Sequence, residues 1–209
     1  MKTKIFAVLS VIVFLGAACA TMSPAPRPSQ TIPFSFDKGN GGLEISASGY
    51  KYTRGNFSFF LPDPKQRFDF FVRELVEGGQ QKPSFGRWLN AEIVRITDKN
   101  NYANISLFLF DKNKIKAEKV AENNLKWYVE GWVYTVLKKT DSETRICGDR
   151  IAAKRILNLD INNNRRRLVQ GWFDIGPDTG VLFSISNYGT YSDEPLAVLE
   201  SIFSSLSLT

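Results

Sequence analysis

Histidine is absent from all 209 residues. That absence removes the commonest general base, the usual Ser–His and Cys–His nucleophile pairs, and most catalytic zinc sites. Cysteine is nearly as scarce, with only Cys19 and Cys147. If Cys19 is modified, Cys147 has no intramolecular partner, and the core must hold the domain without a disulfide. Long apolar runs are missing apart from Ile5 to Leu15, which Ser10 interrupts and which is too short for a spanning helix. Neither charge dominates. The formal net charge is +6 and falls to +4 if Lys2 and Lys4 leave with a signal, a mild balance that favours anionic surfaces without arguing for nucleic acid.

What is present begins with the first nineteen residues, MKTKIFAVLSVIVFLGAAC. Two lysines, an apolar run and the small residues Gly16, Ala17 and Ala18 are the layout of an export signal. The small residues running into Cys19 resemble the lipobox of bacterial lipoproteins, in which that cysteine is lipidated and becomes the mature N-terminus. Gly16 stands where lipoproteins usually carry a larger aliphatic residue, and Leu15 is one place further back. A competing reading takes Ala18-Cys19-Ala20 as a site for ordinary signal peptidase, giving a freely secreted protein, and a third leaves the segment uncleaved. Ala20 follows the cysteine where, in enteric bacteria, an aspartate would retain a lipoprotein in the inner membrane. The resemblance therefore places the protein in the bacterial envelope, on the outer membrane facing the periplasm.

The chain divides into a signal at residues 1–18, a lipidated Cys19 with a flexible Pro/Gly-rich tether over 19–42, and a globular domain over 43–209. TMSPAPRPSQTIP has four prolines and little to bury, and DKGNGG continues the flexible character. In the domain, Leu43–Ala47 and FSFFL (Phe57–Leu61) alternate as strands do, the second ended by PDP. FDFFVRELV (Phe68–Val76) fits a strand or a helix, and its aromatic content favours the strand. Residues Trp88–Thr97 and Ala103–Phe110 read as an antiparallel hairpin across DKNN. From Lys112 the spacing turns helical, with Ala117, Ala121, Leu125, Tyr128, Trp132 and Val136 on one stripe, and a helix is predicted to about residue 130. WYVEGWVYTVL is rich in strand formers, which leaves 127–137 open between helix and strand.

Arg150–Ile161, Arg166–Ile175 and Gly180–Asn187 then read as a three-strand meander with turns at NNNR and GPDTG. SDEP opens a last helix, capped by Ser192 or Asp193, whose stripe is Leu196, Leu199, Ile202, Phe203 and Leu206. The predicted fold class is α+β: an antiparallel sheet of about six or more strands, a central amphipathic helix and a C-terminal helix, in a single domain.

This order of elements, the closing phrase LESIFSSLSL (Leu199–Leu208), Gly148 before the meander and VLFSIS (Val181–Ser186) before the last helix resemble the PsbP/DcrB-like group over roughly residues 56 to 208. The resemblance implies an α/β/α sandwich on an antiparallel sheet and a non-catalytic role. Extrinsic photosystem subunits, a transport cofactor and exported lipoproteins make up that group. No shared catalytic residue set comes with it.

Candidate chemistry is sparse. Cys147, with Arg145, Asp149 and Arg150 near it, reads as a small packed residue and not as a reactive thiol. Asp98, Asp111, Asp160, Asp174 and Asp178 fall near turns or strand ends, where paired acids for glycoside hydrolysis would need a set separation. DKNN and DINNN are oxygen-rich without EF-hand spacing. Trp88, Trp127, Trp132 and Trp172 read as aromatic core. Arg165, Arg166 and Arg167 are consecutive in a predicted turn and are expected to project into solvent, where they can contact an anionic membrane or an acidic partner. No catalytic residue, cofactor or metal is predicted. The expected function is a membrane-tethered, non-catalytic binding or support module for an envelope protein that the sequence does not identify. A secreted carboxylate-based hydrolase and a carrier of an apolar ligand are the alternatives.

Overall fold

The computed structural model describes residues 28–36, 39–63, 67–75, 91–98 and 104–208. The fold is α+β, but its strands divide between two antiparallel sheets instead of joining one. The first holds β1 (Gln30–Phe36), β2 (Gly39–Ser46), β3 (Gly49–Arg54), β4 (Phe57–Pro62) and the short β12 (Ser207–Leu208), in that spatial order. The second holds β5 (Phe68–Leu75), β6 (Ala91–Asp98), β7 (Asn104–Asp111), β8 (Thr135–Ile146), β9 (Arg150–Ile161), β10 (Asn164–Asp174) and β11 (Thr179–Tyr188), in the order β5-β6-β7-β11-β10-β9-β8. Along the chain the division falls after β4, which ends on Pro62, a residue with no N–H to give to a further ladder bond.

Strands β1 and β2 begin inside the stretch that composition assigned to the tether. Pro33 sits opposite Gly42, and β1 lies at the sheet edge, where the missing donor of a proline is tolerated. Ile32, Phe34 and Phe36 alternate with Thr31, Pro33 and Ser35, a period-two signal masked by the surrounding prolines and glycines. The hairpin β6–β7, the meander β9–β10–β11 and strand β5 form as their patterns predict. Trp88 and residues 99–101 of the DKNN turn lie outside the described residues, and Asp98 ends β6.

The large sheet is covered on both faces. On one face, Ile105, Leu107, Val169, Phe173, Val181, Phe183 and Ile185 meet Tyr52, Phe57, Phe59 and Leu61 of the small sheet and Leu199, Ile202 and Phe203 of helix α2 (Glu194–Ser205). The Phe183 ring centroid is 5.3 Å from that of Phe59 and 6.3 Å from those of Phe173 and Phe203. Gly171 lets α2 sit this close. A Cβ there would lie 2.5 Å from Cζ of Phe203 and 2.9 Å from Cδ2 of Leu199. On the other face, helix α1 (Ala117–Lys126) packs Val120 and Ala121 on Phe108, Phe110 and Leu182.

Helix α2 carries the predicted stripe, with Leu199, Ile202 and Phe203 buried and Leu196 and Leu206 packed against them. Its cap differs from expectation. Neither Ser192 nor Asp193 makes a side-chain cap bond: the Asp193 carboxylate accepts from Arg167 Nη2 at 2.6 Å, and Ser192 Oγ accepts from Asn187 Nδ2 at 2.7 Å. The charge-assisted bond to arginine is the stronger use of that carboxylate. At the other end of α2, Ser205 Oγ donates to Phe60 O and accepts from Phe60 N–H, both at 2.9 Å. These bonds lead the chain into β12 beside β4.

Candidate functional site at the Trp132 end of the large sheet

The site is made where α1 gives way to β8. The helix ends at Lys126, and WYVEG continues as one π-helical turn over Trp127–Gly131. A π turn shifts the side chains that follow by one position relative to an α-helix, so the predicted stripe breaks here. Tyr128 stays buried, while Trp132 is 52% and Val136 36% exposed. Val133 then adopts φ 58°. That left-handed conformation is a genuine outlier for a β-branched residue and costs on the order of 1–3 kcal/mol. It is tied down from both sides, because the N–H groups of Trp132 and Tyr134 both donate to Tyr128 O, at 3.3 and 3.2 Å. The reversal feeds Thr135 into β8, the outer strand of the sheet.

The reversal leaves Trp132, Val133, Val136 and Leu137 exposed, with Val133 at 72% and Leu137 at 60%. Trp132 is nonetheless seated. Its ring lies edge-on to Trp127 at 5.7 Å, and Trp127 lies edge-on to Tyr128 at 4.9 Å. An aromatic stack thus runs from the buried Tyr128 to the surface.

Beneath it lies Arg166. The expectation that Arg165, Arg166 and Arg167 share a solvated turn is corrected here. The turn is Asn162-Asn163, both at positive φ, and the arginines belong to β10. Strand alternation separates them. Arg166 points toward the α1 side and is only 2% exposed. Its guanidinium carbon lies 3.3 Å from the ring centre of Tyr188, 4.8 Å from that of Tyr134 and 5.0 Å from that of Tyr128. No carboxylate pairs with it among the described residues, and its Nε lacks a hydrogen-bond partner there. Burial pulls its pKa below the ordinary arginine value, and Tyr128 and Tyr134 offset part of that shift. Three electron-rich ring faces take the place of a counter-ion. Arg167, on the opposite face, is held by Asn158 Oδ1 at 2.6 Å and by Asp193. Arg165 alone keeps an exposed side chain, with its guanidinium over the Tyr191 ring at 5.6 Å.

Further along the same face, polar contacts tie α1 to the sheet. Gln170 Nε2 donates to Ala121 O at 2.9 Å and to Asn124 Oδ1 at 2.8 Å, and Ser184 Oγ donates to that same oxygen at 2.8 Å. Arg155 lies over Trp172 at 5.2 Å, and its Nε and Nη2 reach the two oxygens of Asp141 at 2.7 and 3.4 Å. That contact holds the Asp141 carboxyl below its ordinary value. These groups are committed to one another, so their chemistry is that of a structural joint.

Among the remaining candidates, Asp160 lies at this end of the sheet, opposite Arg165. Cys147 sits in the β8–β9 turn at φ 44°, half-buried, its Sγ donating to Leu206 O at 3.1 Å, and burial pushes its thiol pKa up. It lines an open cleft of about 500 Å³ with Thr144, Glu200, Phe203 and Leu206. Asp111 accepts from Asn113 N–H, Asp160 from Asn163 N–H and Asp178 from Asn113 Nδ2, while Asp174 pairs with Lys112. Each acid serves a turn or strand end. Among the described residues no group of three or more potential ligands is placed to hold a metal, and no helix is long and apolar enough to cross a membrane. Cys19 lies outside the described residues.

The sequence missed the Tyr128–Tyr134–Tyr188 cage and the committed polar joint. A signal for the cage was available: a two-residue Asn-Asn turn fixes the register, which puts Arg166 on the same face as Leu168 and Gln170. No protein-family model matches this chain, and comparison with curated proteins finds no match either.

Proposed function

We propose that this chain is a lipid-anchored, non-catalytic module of the bacterial envelope, held through Cys19 on the outer membrane facing the periplasm. It binds or supports its partner by surface contact. The observation that carries this reading is the seated, exposed turn Trp132–Leu137. A soluble protein gains nothing in stability by holding a valine in the left-handed region in order to present apolar side chains to water, so the arrangement favours contact. The lipobox resemblance supports the anchor. The resemblance to the PsbP/DcrB-like group supports the non-catalytic role, and a sheet with a helix on each face suits that group's α/β/α sandwich. Arg165 can add to attraction toward an acidic surface.

Two measurements test this. Metabolic labelling with a fatty-acid analogue should mark the wild-type chain and not Cys19→Ser. A photo-crosslinking residue at Val133 should give discrete adducts in intact cells, where one at the exposed Glu143 gives few. An unlabelled wild-type chain, or equal adducts from both positions, would sink the reading.

A further inference from the structure

The cross-strand register gathers more at this end of the sheet than the apolar turn. Thr135 pairs with Asp160, and Asp160 pairs with Arg165, so one row crosses the first three strands from the edge. Strands lie about 4.8 Å apart, which puts Arg165 roughly 10 Å from the start of β8. Lys138 and Lys139 follow the apolar residues on β8, and Lys126 precedes the π turn. All four cations are exposed. The acids nearby are Glu130, Asp160 and Asp141. Asp141 is already held by Arg155 and also lies 3.3 Å from Lys139. Arg167 is neutralised by Asp193. The end is therefore an apolar tip of Trp132, Val133, Val136 and Leu137 with a rim that is net positive.

We infer that this tip rests on an anionic bilayer surface, as a second attachment beside the acyl anchor. The inference rests on the membrane-tethered reading and names what its exposed turn contacts. A tryptophan with aliphatic neighbours suits the zone between headgroups and acyl chains, and lysines with long stems keep their charge at headgroup depth. Among the described residues no strand pairs with the outer edge of β8, and that edge limits the depth, because bare backbone groups cannot enter the hydrocarbon without partners. Insertion stops at the hydrated interface. The same strand disfavours the competing occupant, an added β-strand. β8 is interrupted by a bulge between Val136 and Lys138, and two adjacent lysines follow it. Both features obstruct edge-to-edge pairing.

The full chain, reconstituted with phosphatidylcholine vesicles or with vesicles containing phosphatidylglycerol, tests this by hydrogen exchange. Amides across 132–139 should exchange about tenfold more slowly on the anionic vesicles, and high salt should remove most of that protection. Lys138→Gln with Lys139→Gln should remove the salt-sensitive part, and Trp132→Ser with Leu137→Ser the remainder. Both pairs change exposed side chains, so an unaltered melting temperature serves as the folding control. Equal exchange on both vesicle types would overturn the inference. So would protection that needs no vesicles and rises with protein concentration, since a second copy would then cover the tip. Mass spectrometry of the same sample reports acylation at Cys19 separately. An unacylated chain that still shows lipid-dependent protection would end the anchor reading and keep this one. An acylated chain without protection would do the reverse.

Discussion

The two faces of the large sheet are closed by different chemistry. Against the small sheet and α2, Phe59, Phe173, Phe183 and Phe203 interlock with aliphatic residues, and Gly171 removes the one side chain that would prevent close approach. Against α1 and the π turn, the strands present Arg155, Arg166, Gln170, Ser184 and Ser186, all buried. The first face gains from area removed from water and tolerates few changes of volume. The second must satisfy each polar group it buries, and it does so incompletely: Arg155 Nη1, Arg166 Nε and Gln170 Oε1 have no partner among the described residues. A polar face fixes one position of α1, since Asn124 meets Gln170 and Ser184 in only one register. The exposed Trp132 turn grows from this side, seated on Trp127 and Tyr128.

The largest test of the comparison is Phe183→Ala. It should cost about 3–5 kcal/mol in chemical denaturation, because a fully buried ring with three aromatic neighbours is lost. A cost below about 1 kcal/mol would mean that the small sheet and α2 are appendages. Asn124→Ala comes next, at about 1–3 kcal/mol, because it strands the buried donors of Gln170 and Ser184. Native-state hydrogen exchange should show the loss concentrated in α1, and a uniform loss across both faces would blur the distinction.

Arg166→Met is expected to shift stability by no more than about 1 kcal/mol, in either direction. An apolar side chain of similar length gives up the cation–ring contacts but no longer buries an unpaired charge. A loss comparable to that of Phe183→Ala would show that the cation is the keystone of its face.

The smallest effect concerns pH. Asp141 has a folded pKa below its ordinary value near 3.8, chiefly through its hydrogen bond from Arg155. The stability it lends is therefore complete above that value and is lost as pH falls through the lower folded value. Its side chain is half exposed, so screening by solvent keeps the contribution small. Thermal melts should show wild type and Asp141→Asn converging as pH drops below about 3.8 and separating above it. A difference that is constant with pH would assign the contact no electrostatic part.

Legibility in the sequence follows how local each signal is. The meander β9–β10–β11 was readable because alternation and the Asn-Asn and GPDTG turns act within a few residues. The stripe of α2 was readable for the same reason. Strand β8 was not, because an outer strand with residues Thr135–Glu143 exposed carries no alternation of burial. Strand β3 was missed as well: GYKYTR offers only Tyr50 and Tyr52 to the core, between polar neighbours. At the candidate site, Trp132 was visible as a large aromatic, but its exposure depends on a π turn that no local spacing announces.

By itself the sequence determined the α+β composition, the meander and the final helix, because propensity, turn chemistry and period act over short stretches of chain. Only the tertiary structure decided that the strands form two sheets, that β12 returns to β4, and that three adjacent arginines have three different fates. Strand alternation and the neighbours brought by distant elements made Arg165 a surface cation, Arg167 the partner of Asp193, and Arg166 a buried charge among tyrosines from the π turn, the residue before β8 and the end of β11. Identical side chains in sequence acquire different chemistry when the chain around them folds, because desolvation and contact are set by what lies across the sheet and not by what lies next along the chain.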